Sequence, residues 1–544
     1  MKACRIRALF IPHRSGSIVL VVCVFFLAVT WPAALCAQTY TDLHDFDSST
    51  DGANPNFPGL IAQARDGKLY GTAPTGGPHG FGTVYQITAS GAFHVIYSFT
   101  GGNDGAHPYS GLSLGTDGNL YGTTFDGGAN SQGTIFKITT AGKLTTLHSF
   151  NGTDGCEPQS PPIATIGAVL YGVTACQTTY TITSSGVFKL LPGRPDGASF
   201  APLILAGDGN FYGTTYDGGN QFRGSVFRLS PNGAVTTLYS FDITHGASPF
   251  SPLVQGKDGN LYGTTQTGGT SPNPWGTIFK LTLKGVITVL KNFDLDSADG
   301  GIPTAGLIAG NDDNFYGITN QSNGAPNGTV FEITKNGTYS VLHTFDQIDG
   351  ALGPSTPMQQ TNGILYGTTF EGGLDNSGVF WSLSDGLSPF CSIVGYAAGK
   401  SGTTVGILGQ GFETASSVTF GSGSATFKIV NDTFLAATVP DGGTTGAVTV
   451  TTSSGSLASK QTFKVRPGIT SFLPTSGTVG TQVTITGSGF IGTTSITFNG
   501  TKATFTVNSA IKITATVPSG ATTGKIKVTT PGGTATSATD FTVT

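Results

Sequence analysis

The residues with chemistry to offer sit beside glycine. Asp126, Asp217 and Glu371 each precede a Gly-Gly pair, and Asp104 precedes a single glycine. Carboxylates with open backbone groups beside them can coordinate calcium or hold hydroxyl-rich molecules. Two carboxylates facing one bond could instead serve as a general acid and a general base. Asp-Gly is equally good turn chemistry, because both residues tolerate positive φ. Asp126, Asp217, Glu371 and Asp104 are therefore the candidate ligand-binding residues. Calcium is the one metal they suggest, and no resident cofactor is indicated. The histidines offer little: His44, His148 and His343 take a position held elsewhere by Tyr97 and Tyr239, while His79, His94, His107 and His245 are scattered. No nucleophile elbow and no phosphate loop is present.

What must position these carboxylates is a repeat. Its core reads LYGTA at 69–73, LYGTT at 120–124, LYGVT at 170–174, FYGTT at 211–215, LYGTT at 261–265, FYGIT at 315–319 and LYGTT at 365–369. A period of roughly fifty residues marks a propeller or solenoid array. The second unit parses into four short strands: SGLSL (110–114), NLYGTTF (119–125), GTIFKIT (133–139) and KLTTLHSF (143–150). Tight Asp-Gly and Ala-Gly turns fall between them, and the third strand alternates apolar and polar residues. The seventh unit lacks a fourth strand, whereas TYTDLHDF (39–46) matches that pattern. The expectation is a seven-bladed β-propeller over 38–384, its N-terminal strand closing the last blade and hiding sheet edges. Gly213 and its equivalents lie inside a strand, where glycine signals close approach.

The N-terminus reads as a secretory signal over 1–37. Lys2, Arg5, Arg7 and Arg14 precede the apolar run 18–30, Pro32 follows, and a small residue offers the cut at Ala37. An uncleaved anchor is the alternative, and after cleavage no transmembrane segment is expected. The chain carries 26 Lys and Arg against 30 Asp and Glu, a net of −4, and four of those cations lie in the signal. The acids concentrate in the repeats, which argues against nucleic acid as a partner. Cys176 lies in the shortened loop of the third unit and Cys156 in the preceding loop on the same face, and the two are expected to form a disulfide, as export permits. Cys391 has no partner in its own domain.

Beyond 388 the repeat stops and a different pattern appears twice, over 389–466 and 467–544. Each copy has the size and alternation of an immunoglobulin-like β-sandwich. Val405 to Phe412 and Val483 to Phe490 share the pattern VxIxGxGF, and TVP at 438–440 and 516–518 recurs with it. These copies resemble IPT/TIG domains. The fifty-residue units, with GTIFKIT and TTLYSF after the tyrosine-glycine core, resemble the GloVer tandem repeat of exported bacterial proteins. The DGNLYGT core is also similar to the repeats of periplasmic sensors and virginiamycin B lyase. The GloVer resemblance implies a secreted or cell-surface location and brings no activity with it.

The short, uniform loops lead to an expectation of a monomeric, non-catalytic binding or adhesion protein. Its loop face would recognise a glycan or a surface protein. An extracellular polysaccharide lyase or hydrolase, with acids at the mouth of the array, is one alternative. A structural envelope component is another.

Overall fold

Gly213 lies directly across the ladder from Phe227, and a Cβ on the glycine would come within 2.6 Å of that ring. The same opposition recurs as Gly122 with Phe136, Gly263 with Phe279 and Gly317 with Phe331. The strand glycine is thus the hollow into which the third strand's aromatic ring folds, and the ring covers backbone that glycine leaves bare. This pairing builds the core of every repeat.

The computed structural model describes residues 38–544, apart from 56–59, 166–168, 295–297, 322–326 and 354. The expected signal segment, 1–37, and its cleavage site lie outside the described residues. Each repeat forms a four-stranded antiparallel sheet in sequence order. In the fourth repeat the strands are Ile204–Leu205, Phe211–Thr215, Ser225–Leu229 and Val235–Ser240. The inner two long strands are buried throughout or nearly so, while the fourth is half exposed. Threonines satisfy the buried ladder ends: Thr124 meets Thr134 at 2.9 Å, and Thr215 meets Ser225 at 2.8 Å. In the seventh sheet the fourth position is taken by Thr39–Asp45, antiparallel to Val379–Ser384.

The expected seven-bladed β-propeller is corrected by this topology. The described residues show seven uncurled four-stranded sheets, and no closed propeller is seen. The N-terminal strand completes one sheet, but no ladder joins that sheet to its neighbours. Neighbouring repeats meet instead through side-chain packing and single bonds. Thr72 Oγ1 donates to the Pro108 carbonyl at 2.6 Å, and Thr214 Oγ1 to that of Ser251 at 3.1 Å.

After the repeats come two half-barrel immunoglobulin-like sandwiches. The first is one eight-stranded sheet around Ile407, Phe412, Leu435, Val450 and Phe463. Cys391 is buried in that core, and burial pushes its thiol up to about 12. The second sandwich pairs a four-stranded with a five-stranded sheet around Ile485, Phe490, Ile513 and Phe541. Among the described residues no helix is long and apolar enough to cross a membrane.

The two ends of the repeat strands differ. At one end the Asp-Gly hairpins join first to second strands. The first sandwich docks there: Thr433 Oγ1 donates to the Arg65 carbonyl at 2.8 Å, Gln410 Nε2 to Thr361 Oγ1 at 2.9 Å, and Lys464 Nζ to the Gly207 carbonyl. At the other end lie the loops between repeats and the loops that carry Asp126, Asp217 and Glu371.

Candidate functional site

The Asp-Gly aspartate found in six of the seven inter-repeat loops, His245 standing in the other, is spent on architecture. Asp104 Oδ2 accepts from the Tyr97 hydroxyl at 3.0 Å and the Thr100 amide at 2.8 Å, and its Oδ1 accepts from Thr100 Oγ1 at 2.6 Å. Elsewhere the fourth-strand partner is histidine. His44 meets Asp51 at 2.9 Å, His148 meets Asp154 at 3.0 Å and His343 meets Asp349 at 2.7 Å. Each of these imidazoles also stacks, at 3.8 Å between centroids, on an aromatic ring of the adjacent sheet: Phe93, Phe188 or Tyr40. Stacked and paired, they act as struts between sheets. Burial lowers the His148 pKa against the pull of Asp154.

Asp126, Asp217 and Glu371 occupy one loop position in the second, fourth and seventh repeats. Asp217 Oδ1 accepts from the Ala198 amide at 2.8 Å and so closes its own loop. Glu371 is bridged through its backbone to Ala351. The three carboxylates are not brought together. Among the described residues no group of three or more His, Cys, Asp or Glu gathers as a metal site needs.

Asp126 is different. Its Oδ1 lies 2.8 Å from Nδ1 of His107. The side chains are 29% and 41% exposed, so the pair is open to solvent and reachable by a solute. His107 is held in the left-handed region at φ 55°. Asn54, Glu157, Ser248, Ile302 and Leu352 take the matching place in other repeats, all with φ between 48° and 56°. Such a conformation costs on the order of 1–3 kcal/mol for a residue with a Cβ. A repeated bond holds it: the His107 amide donates to Phe81 at 3.0 Å, that of Ser248 to Arg223 at 2.8 Å, and that of Ile302 to Trp275 at 2.8 Å. The backbone here belongs to six of the seven repeats, Ser199 of the fourth being the exception, and the side chain belongs to one. Only the second repeat puts an imidazole against a carboxylate at these two positions.

A carboxylate on Nδ1 keeps the ring proton there and leaves Nε2 as the basic atom. Phe81 and Tyr109 flank the imidazole, with centroids 6.1 and 6.4 Å away, and Phe125 packs edge-on against Tyr109. Burial raises the Tyr109 phenol, and the Asp126 charge raises it further. The arrangement is an oriented base, a phenol that keeps its proton and an aromatic wall. It can move a proton to or from a bound molecule.

In the sequence alone His107 stands among the scattered histidines. The signal that could have found it is the repeat alignment itself, in which this column varies from unit to unit while its backbone is shared by six of the seven. Cys156 and Cys176 are joined as a disulfide with a Cα–Cα distance of 5.5 Å, beside the shortened loop of the third repeat.

The repeats and sandwiches define a class of chain. The model of the Gloeobacter/Verrucomicrobia repeat matches residues 31–188 and 176–381, and that of the IPT/TIG domain matches 389–465 and 467–543. The chain belongs to the Gloeobacter/Verrucomicrobia repeat family and carries two IPT/TIG domains at its C-terminal side. No curated protein matches it. Among solved structures it is similar to a streptogramin B lyase, at 16% identity over 64% of this chain and 97% of the other, with a TM-score of 0.45. It is similar to a fungal alcohol oxidase in complex with copper, at 14% identity over 77% and 100%, TM-score 0.42. A surface glycan-binding protein from a xyloglucan utilization locus of Bacteroides uniformis matches at 22% over 28% and 50%, TM-score 0.15.

The expectation of a non-catalytic, carbohydrate-binding or adhesion protein is corrected accordingly. The lyase and oxidase likenesses cover 64% and 77% of the chain, and the glycan-binding one covers 28%. The contact of His107 with Asp126 in the second repeat is one that the spacing of residues does not reveal. At these identities and scores none of the neighbours lends its activity to this chain.

Proposed function

We propose that this chain is an exported acid–base enzyme, a lyase or hydrolase of an extracellular polysaccharide, with His107 and Asp126 as its proton-transfer pair. The observation that carries this reading is the 2.8 Å contact from Asp126 to His107 Nδ1, present in one repeat and replaced in all others. Nε2 would take a proton from water in hydrolysis, or from carbon next to a carbonyl in elimination. Tyr109 would give one to the leaving oxygen. The aromatic wall suits the apolar face of a sugar ring. The acid excess of the repeats disfavours densely charged polyanions, so the substrate is a neutral chain for hydrolysis or an esterified uronate chain for elimination.

The test is turnover by the protein on a panel of neutral polysaccharides and of methyl-esterified uronate polysaccharides. New reducing ends report hydrolysis, and ultraviolet absorbance of a new double bond reports elimination. His107→Ala should lower the rate by roughly 10²–10⁴, the range for a general acid–base group. Turnover untouched by that change, or none on any substrate, would refute the assignment.

A further inference from the structure

At the hairpin end, opposite His107, the first strands of all seven sheets line a cavity of about 980 Å³. The first sandwich covers it, with Phe390, Ile393, Tyr396 and Lys460 on the covering side. The wall is largely aliphatic: Leu114, Leu205, Val254, Ile308 and Met358 face inward from five different sheets. The volume is at the upper end of the range for small-molecule sites, and the lining, apolar with a few convergent polar groups, is their usual chemistry.

Lys460 is the unusual member. Its Nζ donates to Gln359 Oε1 at 2.8 Å and to the Ala309 carbonyl at 3.0 Å, and it lies 4.3 Å from the centre of the Phe390 ring. Both oxygens are neutral. Among the described residues no carboxylate stands within ion-pair distance of it. Of the carboxylates on the cavity wall, Asp313 is already paired with Lys257 and Asp208 holds Asn210 and Tyr212. Burial pushes the Lys460 ammonium down to about 7, Asp312 pulls it up and Lys257 pushes it down further. A buried cation without an anion is costly, and the cost is relieved by pairing.

We infer that the cavity between the repeats and the first sandwich binds a small aliphatic monocarboxylate, its carboxylate on Lys460 and its chain along the inner strands. Lys464, the other wall amine without a carboxylate, is held by the Gly207 carbonyl, so the charge on offer suits one carboxylate at Lys460, and the aliphatic wall rules against a sugar phosphate or other polyanion. The site is separate from the His107 pair and stands whether or not that pair is catalytic.

Calorimetry with the full secreted chain tests this, using hexanoate, octanoate and decanoate as probes and decanol as the uncharged control. Affinity should rise roughly fourfold per methylene, as burial of each CH₂ predicts. Decanoate should bind at least tenfold tighter than decanol. Lys460→Met should erase that preference, and Lys460→Arg should keep it. Leu205→Trp, which narrows the aliphatic wall and leaves Lys460 in place, should weaken binding of both. Affinity independent of chain length, equal binding of decanol, or no binding of decanoate at millimolar concentration would each overturn the proposal, and these readings need no variant at all.

Discussion

The hydroxyl of Tyr212 donates to Asp208 Oδ2 at 2.8 Å, so the tyrosine of the repeat core holds the hairpin that precedes it. Asn210 Nδ2 reaches the same oxygen at 2.8 Å. Tyr70 with Asp66, Tyr121 with Asp117, Tyr262 with Asp258 and Tyr316 with Asp312 repeat the bond at 2.8–2.9 Å. A hydrogen bond to a charged group contributes about 1.5–3 kcal/mol. Tyr212→Phe keeps the ring and loses the bond, so it should lower stability by about that amount, read from the urea midpoint. An unchanged midpoint would mean that the turn holds itself.

The same bonds set the acid limb of stability. Burial raises Asp258, but hydrogen bonds from Lys280, Asn260 and Tyr262 outweigh it and leave the carboxyl well below its usual range. Asp117 and Asp208 are lowered in the same way. A folded pKa below the unfolded one, about 3.9, means stabilisation that is present above pH 4 and is lost as pH falls through the folded value. Melting temperature should therefore drop steeply below pH 4. Asp258→Asn should flatten that drop while lowering the plateau near pH 7. A parallel curve for variant and wild type would contradict the linkage.

Gly213→Ala places a methyl within 2.6 Å of the Phe227 ring. Overpacking of this kind costs about 1–3 kcal/mol. Replacing Phe227 with Leu in the same chain should recover part of the loss, measured as coupling in a double-mutant cycle.

Cys156 and Cys176 close a loop with a sequence separation of 20. Loop entropy gives such a link about 3 kcal/mol. The double Cys→Ala variant should melt lower than wild type, and a reductant should shift wild type toward it while leaving the variant unmoved.

Most of the scaffold was legible in sequence, because the tyrosine-glycine core marks the second strand and the turn residues mark its neighbours. The second repeat's strands at 113–114, 120–124, 134–138 and 144–149 lie inside the expected segments. Two things were over-read. A strand match between the N-terminus and the seventh unit says which sheet the segment completes, and says nothing about how sheets join. Asp104 looked like a ligand because it was acidic and near glycine, whereas its oxygens are consumed by Tyr97 and Thr100. The pair that does stand open, His107 with Asp126, is separated by a whole hairpin. Lys460 and its cavity depend on a docking that no local pattern encodes.

That docking makes the last prediction. The Arg65 guanidinium lies 4.5 Å over the Phe434 ring, and its backbone carbonyl accepts from Thr433 Oγ1 at 2.8 Å and Asn431 Nδ2 at 3.1 Å. One residue of the first hairpin thus holds the sandwich by its charge and by its backbone. Arg65→Ala removes the stacking, worth about 0.5–2 kcal/mol, and keeps the carbonyl. Thr433→Ala removes one donor to that carbonyl and keeps the stacking. Each should speed cleavage of the linker at 385–388 by a protease several-fold, and the two together should do so more than either alone. The repeats should melt as before in both. Unaltered cleavage in the double variant would show that the contacts of Lys464 and Gln410 suffice to seat the sandwich.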